Sequence, residues 1–209
     1  VCMNLAKPMQ DDSYNSIAQL SEGMYKEKGS KFLSFAIPVT SVEEAKDILK
    51  DYRKQYYDAR HICYAYVIGY PNSVVRSSDD GEPSGTAGKP ILAQIQAKQL
   101  SDVMVVVVRY FGGVLLGTGG LVVAYREATV DALNNTTVYT KIVEQALTIQ
   151  CAYPQLNEVM KIIKDNNLTI ISQTLEISCT LKVQIRLSNF ETITERLKQV
   201  HGLQVIEQI

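Results

Sequence analysis

Four consecutive valines, Val105 to Val108, lie inside the apolar run Val103 to Val108, and they limit the possible folds more than any other feature. A strand with one wet face alternates apolar with polar residues, whereas an unbroken run fits a central strand covered on both faces. The sequence must then supply packing elements for two sides of one sheet. At 209 residues and 46% hydrophobic content it has material for one large domain or two small ones. The run is too short to cross a bilayer, and the first residues lack the basic-then-apolar order of a secretory signal, so a cytoplasmic protein that does not enter a membrane is expected.

Periodicity around the valines supplies those elements. Residues 31–39 alternate as a strand. Ser41, with Glu44 three residues on, has the spacing of a capping box and opens a helix to about Tyr57, with Val42, Ala45, Ile48, Leu49 and Tyr52 inward. Residues 61–69 read as a second strand, 90–99 as a helix with Pro90 in its first turn, and 103–109 as the central strand. A further helix runs from Gly119 or Gly120 to about Leu133, while 1–16 read as a loose arm or a short first strand. Asn134 to Thr137 breaks the pattern. It restarts as strand 142–151, helix 154–166, strands 168–174 and 177–187, helix 190–200 and strand 203–208, the βαββαβ order of a ferredoxin-like unit. The expected fold class is α+β, with an N-terminal α/β domain over 1–137 (core about 20–133) and a ferredoxin-like C-terminal domain over 138–209.

Charge and cysteine usage remove several classes. Cysteines at 2, 63, 151 and 179 are too dispersed for a CxxC pair or a disulfide framework, so reduced, packed thiols are expected. Up to Thr137 there are 14 basic and 15 acidic residues, then seven of each, for a net charge of −1. Neither half has the basic excess of a strong nucleic-acid binder, although a neutral sum leaves room for a local basic face.

Two glycine loops flank the central strand. The first, Asp79 to Pro90, gathers Asp79, Asp80, Glu82, Ser84, Thr86 and Lys89 within twelve residues. Amides flanked by glycine and followed by a helix start can hold an anion, with Lys89 adding a charge. The other reading is a long turn in which Asp and Ser/Thr side chains tie up local amides. A P-loop is excluded, since Pro83 and Pro90 occupy its first glycine and its hydroxyl position. His61 with Asp79 or Asp80 could activate Ser84 or Thr86, but the sequence around Ser84 is not the GxSxG elbow. A metal site from His61, Cys63, Asp79, Asp80 and Glu82 lacks zinc spacing, and no metal is expected. The second loop, 109–120, joins Arg109, Tyr110 and Phe111 to Gly112, Gly113, Gly119 and Gly120 at a helix start, with Arg126 farther along that helix. Its amides and arginines suit phosphate or carboxylate and its aromatics suit stacking on bases; alternatively the glycines only permit a tight crossing.

These residues resemble a known family. His61-x-Cys63-x-Ala65, the run Asp79 to Gly88 with Pro90, Val107 to Gly113, Leu116-Gly117-x-Gly119-Gly120-Leu121 and Ala124-Tyr125 resemble the IMPACT/YigZ family of cytoplasmic proteins, over roughly residues 20–130. The resemblance implies that the first domain shares the α/β fold of one domain of a small-subunit ribosomal protein and of the translocation elongation factor. It also implies that the tail is a ferredoxin-like domain of the kind found in bacterial members. Eukaryotic relatives act as translational regulators through an added domain without a match in these residues, so that role is not carried over intact. Some members bear a dipeptidase label, which the absence of HExxH does not favour.

The resulting expectation is a translation-linked regulatory protein that binds RNA, the ribosome or a translation factor without catalysis or cofactor. Ser84, Thr86, Lys89, Arg109, Tyr110, Gly112, Gly113, Gly119, Gly120 and Arg126 would line its cleft. The alternative is a small hydrolase, dipeptidase-like or acting on phosphoesters, using His61, Asp79, Asp80, Glu82 and Ser84.

Overall fold

The computed structural model describes residues 12–207. Cys2, most of the arm read over 1–16 and residue 208 of the last strand lie outside the described residues. Contacts separate Tyr14–Lys141 from a second unit that begins at Ile142 and takes in Asp12 and Ser13. The division thus falls after Lys141 rather than after Thr137. The intervening strand, Val138–Ile142, pairs with Ser13–Ile17, and Lys141 Nζ donates to Asp102 Oδ2 at 2.8 Å.

In the first unit the elements are β1 (Ser13–Ile17), β2 (Ser21–Glu27), β3 (Ser30–Pro38), α1 (Val42–Gln55), β4 (His61–Ile68), β5 (Val74–Ser78), α2 (Gly88–Ala97), β6 (Val103–Tyr110), α3 (Gly117–Asn134) and β7 (Val138–Ile142). Five strands form an antiparallel sheet in the order β2-β3-β6-β4-β5. β6 is its middle strand. Val103, Val105 and Val107 enter one core with Phe32, Cys63 and Ala65 beneath α2 and α3. Met104, Val106 and Val108 enter a second core with Phe35, Tyr64 and Tyr66 beneath α1. The run lacks alternation because both faces are apolar, and each fully buried valine contributes roughly 1.5–3 kcal/mol.

Local chemistry sets the element ends. Ser41 Oγ accepts from Glu44 N at 3.1 Å, while the Glu44 carboxylate takes Thr40 N at 2.8 Å, so the return bond of the capping box lands one residue earlier than the spacing suggests. β2 was not legible as a strand. It is held at long range: Ser21 Oγ donates to Ala132 O at 2.8 Å, and a Cβ on Gly23 would stand 2.3 Å from Ala132 N.

The second unit contains β8 (Glu144–Cys151), α4 (Tyr153–Asp165), β9 (Thr169–Leu175), β10 (Cys179–Arg186), α5 (Leu187–Lys198) and β11 (Gln204–Glu207). Its antiparallel sheet runs β11-β8-β10-β9, the ferredoxin-like order. Alternation is clean here: Cys179, Leu181, Val183 and Ile185 of β10 and Leu147, Ile149 and Cys151 of β8 bury against Val159, Ile162 and Ile163 of α4 and Phe190, Ile193 and Leu197 of α5. Among the described residues no helix is long and apolar enough to cross a membrane.

Candidate functional site

The first glycine loop connects β5 to α2, and Asp79 organises it. Its Oδ2 accepts from Gly85 N at 2.8 Å; its Oδ1 accepts from Ala87 N at 3.0 Å and Gly88 N at 2.8 Å. The amides that could hold an external anion at the start of α2 hold this carboxylate instead. Thr86 acts in the same local way, donating from Oγ1 to Pro83 O at 2.6 Å. Of the two readings of the loop, the turn that ties up its own amides describes Asp79, while Thr86 bonds a carbonyl of the same turn. Gly88 is obligatory, because a Cβ there would lie 2.7 Å from Ser78 N.

Burial works to raise the Asp79 pKa, but the three amides and Lys89 outweigh it and hold the carboxyl below its ordinary 3.8. Asp102 behaves alike: burial raises it, and bonds from Lys141, Tyr14 and Gly69 N bring it below 3.8. A carboxyl whose folded pKa is depressed adds stability that is present above its unfolded pKa and lost as pH falls through the folded value. Thermal unfolding of the protein should therefore show a midpoint that drops as pH is lowered through and below about 4, and Asp79→Asn should flatten that drop. An unchanged acid profile in Asp79→Asn would contradict the assignment.

Behind the loop, Glu82 is buried. Its Oε1 accepts from Arg109 Nη1 and, at 2.8 Å, from the Tyr125 hydroxyl; both partners are buried. Tyr125 also receives Cys63 Sγ at 3.3 Å, and Cys63 Sγ contacts Asp79 O at 3.0 Å. Burial pushes the Cys63 thiol well above its usual range despite the Tyr125 bond, so it is an unreactive thiol. His61 Nδ1 meets Asp80 O at 2.8 Å, and its Nε2 stands 3.9 Å from Glu82 Oε2. Asp80 has positive φ (45°); its Oδ2 accepts from Ile62 N at 2.8 Å and its Oδ1 from Arg53 Nη2 at 2.9 Å.

The groups considered for a nucleophilic relay are thus separately engaged. Neither the Asp79 nor the Asp80 carboxylate bonds to His61, Ser84 is exposed, and no hydrogen bond joins Ser84 to His61. The described residues place no group of three His, Cys, Asp or Glu side chains as a metal ligand set. Lys89 is exposed beside Gly85. Arg126 pairs with its neighbour Glu127 at 2.7 Å.

In the second loop Gly112 is packed against the β2–β3 turn, where a Cβ would fall 1.9 Å from Gly29 C, and its amide donates to Ser30 Oγ at 3.2 Å. Gly113 and Gly119 face open space and Gly120 meets Leu116. Phe111, Val114 and Leu115 are exposed. Asp80 of the first loop and Tyr110 and Phe111 of the second line an open cleft of about 710 Å³ together with Asp58, Ala59, Arg60 and His61. Arg60 and Asp58 were missed from sequence, since each sits in a short connection without motif or period.

The Impact N-terminal domain model matches residues 28–133. The chain is 39% identical over 160 residues to the IMPACT family member YigZ of Escherichia coli K12, covering 76% of this chain and 78% of the relative. This chain belongs to the IMPACT family. An IMPACT family member of Haemophilus influenzae is 34% identical over 184 residues, 87% of this chain and 89% of that one. A crystal structure described as that of a hypothetical protein matches at TM-score 0.70 and 33% identity, over 95% of this chain and 98% of that one. Both glycine loops and the cleft lie inside the Impact domain match, and both units have counterparts in that structure.

Proposed function

We propose that this IMPACT family member is a translation-linked regulatory protein that binds RNA through the cleft of Arg60, His61, Tyr110 and Phe111, without catalysing a reaction. One observation carries the reading: the loop carboxylates are engaged by the protein's own amides and by Arg109, while the outer cleft is open and presents a guanidinium beside two aromatic rings. A cation with stacking faces is the chemistry that single-stranded nucleic acid uses. The family resemblance, in which eukaryotic relatives regulate translation, supports the translation link.

The test is co-sedimentation with ribosomes together with retention of single-stranded RNA at low salt, where electrostatic binding is strongest. Wild-type protein should bind both, and Arg60→Glu with Phe111→Ala should weaken RNA binding by about tenfold or more, given ~1–3 kcal/mol per stacked base. Wild-type protein that retains neither contradicts the proposal.

A further inference from the structure

The cleft does not end at Asp80. Arg53, which bonds Asp80 Oδ1 at 2.9 Å, also lines a second open groove of about 470 Å³ with Lys46, Leu49, Lys50, Lys54 and Tyr64. Lys46, Lys50 and Lys54 recur at four-residue steps on α1, with Arg53 beside them, so four cations share one stripe next to the buried face of the helix. The stripe from Lys46 to Lys54 is about 12 Å long at ~1.5 Å per residue. Acids border the stripe: Glu43, Asp47 and Asp51 stand three residues before Lys46, Lys50 and Lys54, and Asp51 reaches Lys54 at 3.6 Å. From the sheet, β5 adds Arg76. It opposes Tyr66 in the ladder, so it rises from the same face as Tyr64 and Tyr66, and it is exposed. Tyr64 and Tyr66 are buried, leaving no ring face for a base. The groove thus offers charge without stacking, and the cleft beyond Asp80 offers stacking.

We infer that the groove between α1 and β5 is a track for the phosphate backbone of single-stranded RNA, with Lys46, Lys50, Arg53, Lys54 and Arg76 facing phosphates. The strand then passes over the Arg53–Asp80 pair into the cleft of Arg60, Tyr110 and Phe111. This inference rests on the RNA reading above and adds where the backbone runs. It also places a local cluster of cations on a chain of net charge −1: Lys46, Lys50 and Arg76 are exposed, while Arg53 and Lys54 each meet one carboxylate, Asp80 and Asp51.

The experiment is fluorescence anisotropy of a labelled oligouridine of about twelve nucleotides, titrated with the full chain at several salt concentrations between about 20 and 200 mM. Lys46 and Lys50 are exposed, so Lys46→Glu/Lys50→Glu should fold normally. It should bind about tenfold or more weakly at low salt, with the slope of log affinity against log salt shallower by about 1.4, at ~0.7 for each phosphate of a single strand left without its cation. Arg76→Glu, on a separate element, should flatten the slope by about half as much. Lys161→Glu/Lys164→Glu carries the same charge change on α4 and should stay within about twofold of wild type, which separates a local track from net charge. Wild-type binding that neither groove variant weakens, while Arg60→Glu/Phe111→Ala does, overturns the track and leaves the RNA reading standing. Absence of wild-type binding overturns both. Groove variants that bind oligouridine normally but no longer co-sediment with ribosomes give the groove to an acidic protein surface, which also overturns the track.

Discussion

Asp79→Ala is expected to lower the unfolding free energy by about 2–3 kcal/mol, because three amides at the start of α2 lose a charged acceptor at once and such bonds contribute ~1.5–3 kcal/mol each without adding fully. Water reaches part of the site, which keeps the loss below the simple sum. Asp79→Asn keeps one acceptor oxygen and should lose about half as much. Urea unfolding followed by circular dichroism gives both numbers. Stability equal to wild type in Asp79→Ala would mean that the Gly85, Ala87 and Gly88 amides do not depend on this carboxylate.

The larger effect belongs to the buried Glu82–Arg109 pair. Glu82→Ala should cost about 3–5 kcal/mol, since it strands the Arg109 guanidinium in a buried position. That guanidinium has little to fall back on: its Nε has no hydrogen-bond partner, and its other neighbours include the Phe32 and Phe111 rings at 5.5 and 5.8 Å. Replacing both partners, Glu82→Leu with Arg109→Met, should be far milder than either single change, because the desolvation cost of two charges is removed with their attraction. Tyr125→Phe should lose about 1.5–3 kcal/mol, the value of one hydrogen bond to a charged acceptor. Calorimetric unfolding of these variants, with Glu82→Leu alone and Arg109→Met alone to complete the cycle, tests the coupling. A double variant as unstable as the sum of the singles would show that the pair is not coupled.

Much of this architecture is legible in the chain itself, for identifiable reasons. The valine run of β6 could only be a strand with two apolar faces, and the helix of Val42–Gln55 announces itself through Ser41 and a regular inner face. The βαββαβ unit is legible because its strands alternate cleanly. β2 and β5 escape because neither carries its own pattern. SEGMYKE is made a strand by contacts with β3 and α3, and VVRSS by its ladder with β4.

The site divides differently. The loop chemistry at Asp79, Asp80, Glu82 and His61 is visible as a cluster of residue types. Its direction is not, because nothing in composition says whether a carboxylate turns out to a ligand or back onto amides six to nine positions ahead. Arg109 looks like a cation for a ligand and is the buried partner of Glu82. The stripe of Lys46, Lys50 and Lys54 is present as a four-residue repeat, but it is averaged away in a near-neutral charge sum.

Centrally, Asp79 occupies the amides at the start of α2, and the RNA surface we propose is the cleft of Arg60, His61, Tyr110 and Phe111. Hydrogen exchange of the full chain, with and without single-stranded RNA, tests this most directly. The amides of Gly85, Ala87 and Gly88 should be protected in the free protein and unchanged by RNA, while exchange slows at Arg60, His61, Tyr110 and Phe111 on binding. Free exchange at Gly85, Ala87 and Gly88 that slows only when phosphate or RNA is added would contradict it.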